Sequence, residues 1–161
     1  MMEEIYKRRS IRKYIDKEIS DEILQKILKA GMNAPSAKNT KPYEFLVIRN
    51  KQNLKKLASV KPNAYMTKDS NMTIVMMSKE PTEFWKLDLG ATIQNMLLEA
   101  SSYDIGSCWI GINHEQGEYI KKEFGIPEDL QVISMVSFGY KGEEKEKNDY
   151  YEPAKIHYEK Y

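Results

Sequence analysis

Residues 83–103 carry the longest helical pattern in the chain, and its apolar residues do not keep to one stripe. Leu87, Ala91, Ile93, Met96, Leu97, Leu98 and Ala100 spread around more than one face, as in a helix buried on several sides. In a domain of 161 residues such a helix is either the centre of a monomeric core or is packed partly against another subunit. The pattern leaves both open. Around it, Phe45–Arg49, Met72–Met77, Ser107–Ile112 and Val132–Tyr140 read as strands, the last being the clearest. Ser20 is placed to cap a helix with apolar positions Ile23, Leu24, Ile27 and Leu28, and Gly31 suits its C-terminal end. Residues 33–43 read as a loop, Leu54–Leu57 as part of a short helix, and Glu118–Phe124 as a helix stopped near Gly125 and Pro127. Residues 3–13 read as a short helix or turn. Helices and strands alternate, so the class is mixed α and β with the sheet order unfixed.

One domain spanning residues 1–161 is expected, with residues 141–161 as a tail of little core character. Tyr150, Tyr151, Tyr158 and Tyr161 suggest that this tail docks, for instance on a partner subunit. Lys+Arg of 25 against Asp+Glu of 24 argues against a whole-protein footprint for nucleic acid. A single cysteine, Cys108, and two histidines, His114 and His157, leave no disulfide and no zinc set, so no metal site is expected. The first ten residues have no apolar core for a secretory signal, and no apolar run is long enough for a membrane span. A cytoplasmic protein is the expectation.

Arginine is distributed unevenly. The chain defaults to lysine, yet three of its four arginines, Arg8, Arg9 and Arg12, fall within five positions. A planar fork of fixed charge suits a phosphate or another fixed anion. Chance clustering on a solvated face is the competing reading.

Side-chain catalysis finds little support. There is no Gly-x-Gly-x-x-Gly, no P-loop and no Gly-x-Ser-x-Gly. Cys108 lies in the apolar stretch SCWIG and reads as a buried structural thiol. His114 reads as a surface or capping residue. Chemistry delegated to a bound cofactor needs instead an anion clamp, a loop that approaches closely, and an apolar slot. Arg8, Arg9, Ser10 and Arg12 offer the first. Pro35, Ser36, Ala37 and Asn39 offer the second, and Trp109, Ile110 and Gly111 the third.

The ordered set RRSIRKY, APSAKNTKPYEFLVI, DLGATIQNMLLEAS, GSCWIG, FGYKGEE and EPAKIHYEKY resembles the short members of the nitroreductase family over residues 4–161. That resemblance implies an α+β fold with a central mixed sheet flanked by helices, in an intertwined homodimer with FMN at the subunit interface. It implies hydride transfer from NADH or NADPH through the flavin to a small-molecule acceptor such as a nitroaromatic or a quinone. Carried over by motif, Arg8, Arg9 and Ser10 belong near the FMN ribityl-phosphate and Arg12 nearer the ring. Pro35, Ser36, Ala37 and Asn39 match a loop that reaches the flavin from the other subunit. Asn63 matches, more loosely, a polar residue facing the ring. Trp109, Ile110 and Gly111 match the strand end beside the flavin's reactive edge, where a backbone N–H would meet N5.

Two stretches depart from the family pattern. Relatives often carry arginine after the FGY segment, where this chain has KGEEKEKNDYY; Lys145 or Lys147 could substitute there, or be solvated tail lysines. Lys41-Pro42-Tyr43 stands where Gln-Pro-Trp is frequent, which alters the pocket edge. Two other readings stay open: a flavin-binding protein without turnover or with a specialised reaction, and a polyanion-binding module built on residues 7–13.

Overall fold

The stretches read as strands at Met72–Met77 and Val132–Tyr140 form the middle of one antiparallel sheet. In the computed structural model, which describes residues 3–161, the strands are β1 (Glu44–Ile48), β2 (Met72–Ser78), β3 (Ile105–Gly111) and β4 (Gln131–Tyr140). Their order is β1-β2-β4-β3. All three pairings are antiparallel. The parallel component of the expected mixed sheet is reduced to one bridge, Ser10 to Ser107. β2 is buried along its whole length, as a strand covered on both faces must be.

Alternation along β2 divides the core. Ile74 and Met76 join Ile27, Leu89, Ile93, Met96 and Phe138 on one face. Val75 and Met77 join Leu54, Leu57, Met66, Ile110, Ile120 and Met135 on the other. The first face is covered by α2 (Asp21–Met32) and α4 (Trp85–Ser102), the second by α3 (Lys51–Ala58), α5 (His114–Phe124) and a 3-10 segment at Pro62–Asp69. A short α1 (Glu3–Lys7) precedes the sheet.

Local chemistry sets the helix ends. Ser20 Oγ accepts from the Ile23 N–H at 3.3 Å, as its position suggested. Gly125 ends α5 at φ 65°, a conformation that favours glycine. α5 begins four residues earlier than its apolar pattern implied, because Asn113 and Gln116 form a reciprocal capping box. Gly31 does not end α2, which runs on to Met32. A Cβ at Gly31 would lie 2.7 Å from Met96 Cγ, so the glycine is there to bring α2 against α4.

α4 resolves part of the ambiguity in its pattern. Leu89, Ile93, Met96, Leu97 and Ala100 are core, but Leu87 is 72% exposed and Ala91 and Leu98 are only partly covered. The chain's own fold therefore leaves one apolar stripe of α4 without a cover. Among the described residues, no helix is long and apolar enough to cross a membrane.

Candidate functional site

Beyond α1 the chain becomes an extended arm over residues 8–15. The Ile11 N–H donates to the Ser107 carbonyl at 2.9 Å, and the Ile15 N–H donates to that of Tyr140 at 3.1 Å. The Gly142 N–H donates back to the Lys13 carbonyl at 2.8 Å. The arm therefore starts beside β3 and finishes beside β4, crossing the sheet between them. Two glycines that face each other across the strands, Gly106 and Gly139, make the crossing possible. A Cβ at Gly106 would lie 2.7 Å from Ile11 Cβ, and one at Gly139 would lie 2.6 Å from the Tyr14 ring. Tyr14 fastens the arm: its hydroxyl donates to the Ile11 carbonyl at 2.7 Å and lies 2.8 Å from Ser137 Oγ. Burial pushes the Tyr14 phenol above its ordinary range, so it stays a neutral donor.

This arm carries Arg8, Arg9, Ser10 and Arg12. Among the described residues, Arg49 is the one arginine in an ion pair, with Asp21 at 2.9 Å and Glu18 at 3.7 Å. Two of the arm's guanidinium groups donate to main-chain carbonyls, Arg9 to Glu146 O at 2.5 Å and Arg12 to Ser10 O at 3.5 Å. The segment after β4 folds back over the arm. Lys145 Nζ donates to the Ser10 carbonyl at 2.5 Å, so this lysine is part of the arm's cationic face. Lys147 instead pairs with Glu3 at 3.0 Å. Lys7, Arg9, Lys141, Lys145 and Lys147 line a cavity of about 230 Å³ together with Ile11 and Glu144.

Cys108, 3% exposed, is a core residue, as expected. Burial raises its thiol pKa, and the nearby charges of Arg12, Lys145 and Arg8 pull the other way without prevailing.

At the far end of β3, Trp109 is 44% exposed and its Nε1–H donates to Ser134 Oγ at 2.7 Å. Ile110 points into the core and pairs with Met135 of β4. The Ile112 N–H donates to Ile133 O on the β4 side. By strand alternation the N–H groups of Trp109 and Gly111 face the free edge. A Cβ at Gly111 would meet nothing within 4 Å. Lys61 Nζ donates to the Gly111 carbonyl at 2.9 Å, which fixes the strand end and brings the start of the Pro62–Asp69 segment beside it. Asn63 is exposed on that segment.

The loop holding Pro35, Ser36, Ala37 and Asn39 is tied down by hydrogen bonds to α4 and within itself. The Ala37 N–H donates to the Asp88 carboxylate of α4 at 3.1 and 3.2 Å. Ser36 Oγ accepts from the Lys41 N–H at 2.9 Å. Lys38, Asn39 and Lys41 all have left-handed φ, at 52°, 56° and 49°. Strain held this firmly in an exposed loop is characteristic of binding segments. Among the described residues, no hydrogen bond or ion pair links this loop to the arm of the same chain.

The predicted residues thus form two separate groups in one chain, the arm with Lys145 and the β3 end on one side and the loop on the other. Sequence reasoning missed the residues that hold them: Tyr14, Asp88, Lys61, Ser134 and Glu143. Tyr14, Asp88 and Glu143 lie within the stretches RRSIRKY, DLGATIQNMLLEAS and FGYKGEE that carry the resemblance, whereas Lys61 and Ser134 had no such signal.

A model of the nitroreductase family matches residues 5–64 and 57–140. An Archaeoglobus fulgidus protein named "Putative NADH dehydrogenase/NAD(P)H nitroreductase" is 41% identical, with 98% of this chain and 96% of the relative covered. An FMN-dependent nitroreductase from Clostridium difficile superposes with a TM-score of 0.94 at 31% identity over the full length of both chains. A Desulfovibrio desulfuricans protein solved in complex with FMN superposes with a TM-score of 0.87 at 26% identity, covering 99% of this chain and 96% of that one.

Proposed function

The chain belongs to the nitroreductase family, and from that premise we propose an FMN-dependent oxidoreductase that passes hydride from NADH or NADPH to an electron-poor small molecule, such as a nitroaromatic or a quinone. The observation that carries this reading is the braced arm with Arg8, Arg9 and Arg12 free of carboxylate partners in a chain of near-zero net charge. Such an arm is prepared for an anion that the protein itself does not supply. The residues present fit the cofactor. The space above Gly111 is one that a Cβ would enter, next to outward-facing backbone N–H groups and a half-exposed tryptophan. Names of similar proteins support FMN and a nicotinamide donor.

In this reading Arg8, Arg9, Ser10 and Lys145 hold the phosphate, Lys145 as a point charge in place of a fork. Arg12 lies toward the ring, where a fixed cation favours the electron-rich form. The Gly111 N–H faces the ring edge, Trp109 and Ile110 flank it, and Asn63 faces it from beside Lys61. Bound FMN supplies the hydride chemistry, so no protein nucleophile is needed. The buried, protonated Cys108 agrees with that.

The same reading makes the protein a homodimer, the loop of one copy completing the site of the other. Three features support this: the loop and arm are unlinked within a chain, α4 has an uncovered stripe at Leu87, Ala91 and Leu98, and the tail exposes Tyr150, Tyr151, Tyr158 and Tyr161. Lys7 is paired with Glu3 at 2.8 Å, and the net charge of +1 argues against a polyanion as the arm's ligand.

Sedimentation and NAD(P)H oxidation, measured on the same samples, test assembly and turnover together. The parent is expected at twice the 18.8 kDa chain mass, oxidising NADH or NADPH steadily once an acceptor is added. Leu87→Asp is expected to sediment as a monomer, with FMN and turnover both lost. A parent that binds flavin as a dimer but never turns over would establish the non-catalytic alternative.

A further inference from the structure

Glu143 sits among the cations of the arm, its side chain about one-fifth exposed, and yet pairs with none of the arginines. Its Oε1 accepts the Arg12 N–H at 2.6 Å and the Lys13 N–H at 3.3 Å. Lys145 Nζ lies 3.5 Å from the same oxygen and donates to Ser10 O. The Gly142 N–H, one residue earlier, holds Lys13 O. Residues 142–145 therefore grip the arm's main chain from Ser10 to Lys13 at four points. The backbone N–H of Arg12 is the main cause that holds the Glu143 carboxyl below the usual carboxylate range, with Lys145 adding to it. The Glu143 charge thus faces main-chain amides and leaves the Arg12 guanidinium unpaired with it.

We propose that Glu143 is a positioning residue for the anion clamp, fixing the backbone of Arg12 and Lys13 so that the arginines stand ready for the ligand's phosphate. This rests on the reading of the arm as the FMN clamp, and it makes a prediction whose sign is diagnostic. A carboxylate that merely stood near a bound phosphate would repel it, and neutralising it would tighten binding. A carboxylate that aims the clamp does the opposite when removed.

The test compares FMN affinity in the parent, Glu143→Gln and Glu143→Ala, with amide hydrogen exchange of the arm followed in parallel. Gln keeps the shape and one acceptor oxygen but loses the charge. FMN is expected to bind about 3- to 10-fold more weakly to Glu143→Gln and about 10- to 30-fold more weakly to Glu143→Ala. Exchange at Arg12 and Lys13 should accelerate in both, with the β2 and β4 amides unchanged, which separates loss of aim from loss of fold. Tighter or unchanged FMN binding in both variants, or unaltered exchange at Arg12 and Lys13, overturns the proposal while the clamp reading stands. A parent that takes up no FMN overturns the clamp reading itself, and the proposal with it.

Discussion

Replacing Arg8 and Arg12 together by alanine is expected to leave a folded protein without FMN. Among the described residues, neither side chain forms an ion pair with a carboxylate. Their removal therefore costs the chain little by itself and falls on the ligand. Hydrogen bonds to charged groups contribute about 1.5–3 kcal/mol each, so each single variant should bind FMN roughly 10- to 100-fold more weakly, and the double variant on the order of 10²–10⁴-fold. Arg→Lys changes keep the charge but lose the fork, and should fall between. Arg49→Ala is the control. It breaks the ion pair with Asp21 and should leave flavin affinity where it was. Fluorescence titration with FMN reads all of these. Full flavin retention in the double variant would remove the arm from the site.

The second large effect separates glycines that build the site from one that makes room in it. Gly106→Val and Gly139→Ala each place atoms within 3 Å of Ile11 or Tyr14. Overpacking of this kind costs about 1–3 kcal/mol. The arm, joined to β3 and β4 by few backbone hydrogen bonds, should lift from the sheet. Lower melting temperature and weakened FMN binding are expected together. At Gly111 a Cβ meets nothing of the protein. Gly111→Val should therefore keep the parent's thermal stability and still lose most of its FMN affinity, because the added side chain occupies the space the flavin would take. Thermal unfolding of flavin-free protein, set beside the FMN titration, measures both quantities. A Gly111→Val protein that binds FMN as the parent does would move the ring elsewhere.

Much of this architecture was visible before any coordinates because single local signals carried it. Met72–Met77 is a short, mostly apolar run that reads as a buried strand, and Ser20 and Gly125 mark helix ends by side-chain oxygen and by positive φ. The arginine cluster stood out because lysine is the chain's default cation. Other features depend on partners remote in sequence. Gly31 looked like a helix terminator until Met96 was seen against it. The order β1-β2-β4-β3 follows from no single segment. The Pro62–Asp69 segment mixes buried and exposed residues without a clean period, so it had no signal. Glu143 was hidden in KGEEKEKND, where an acid among lysines reads as a solvated tail; only the fold-back onto the arm gives it two backbone donors. Lys145 and Lys147 were interchangeable in the sequence, and Ser10 O and Glu3 tell them apart. The chain also divides the expected site residues into two groups, a division that residue order cannot express.

The most direct test of the whole account is the visible absorption spectrum of the purified protein, followed by identification of the flavin released on denaturation. FMN at about one per chain is the predicted result, since the proposed dimer would hold two equivalent clamps. A colourless protein that also fails to take up added FMN would contradict the account, and would leave the arm of Arg8, Arg9 and Arg12 awaiting a different anion.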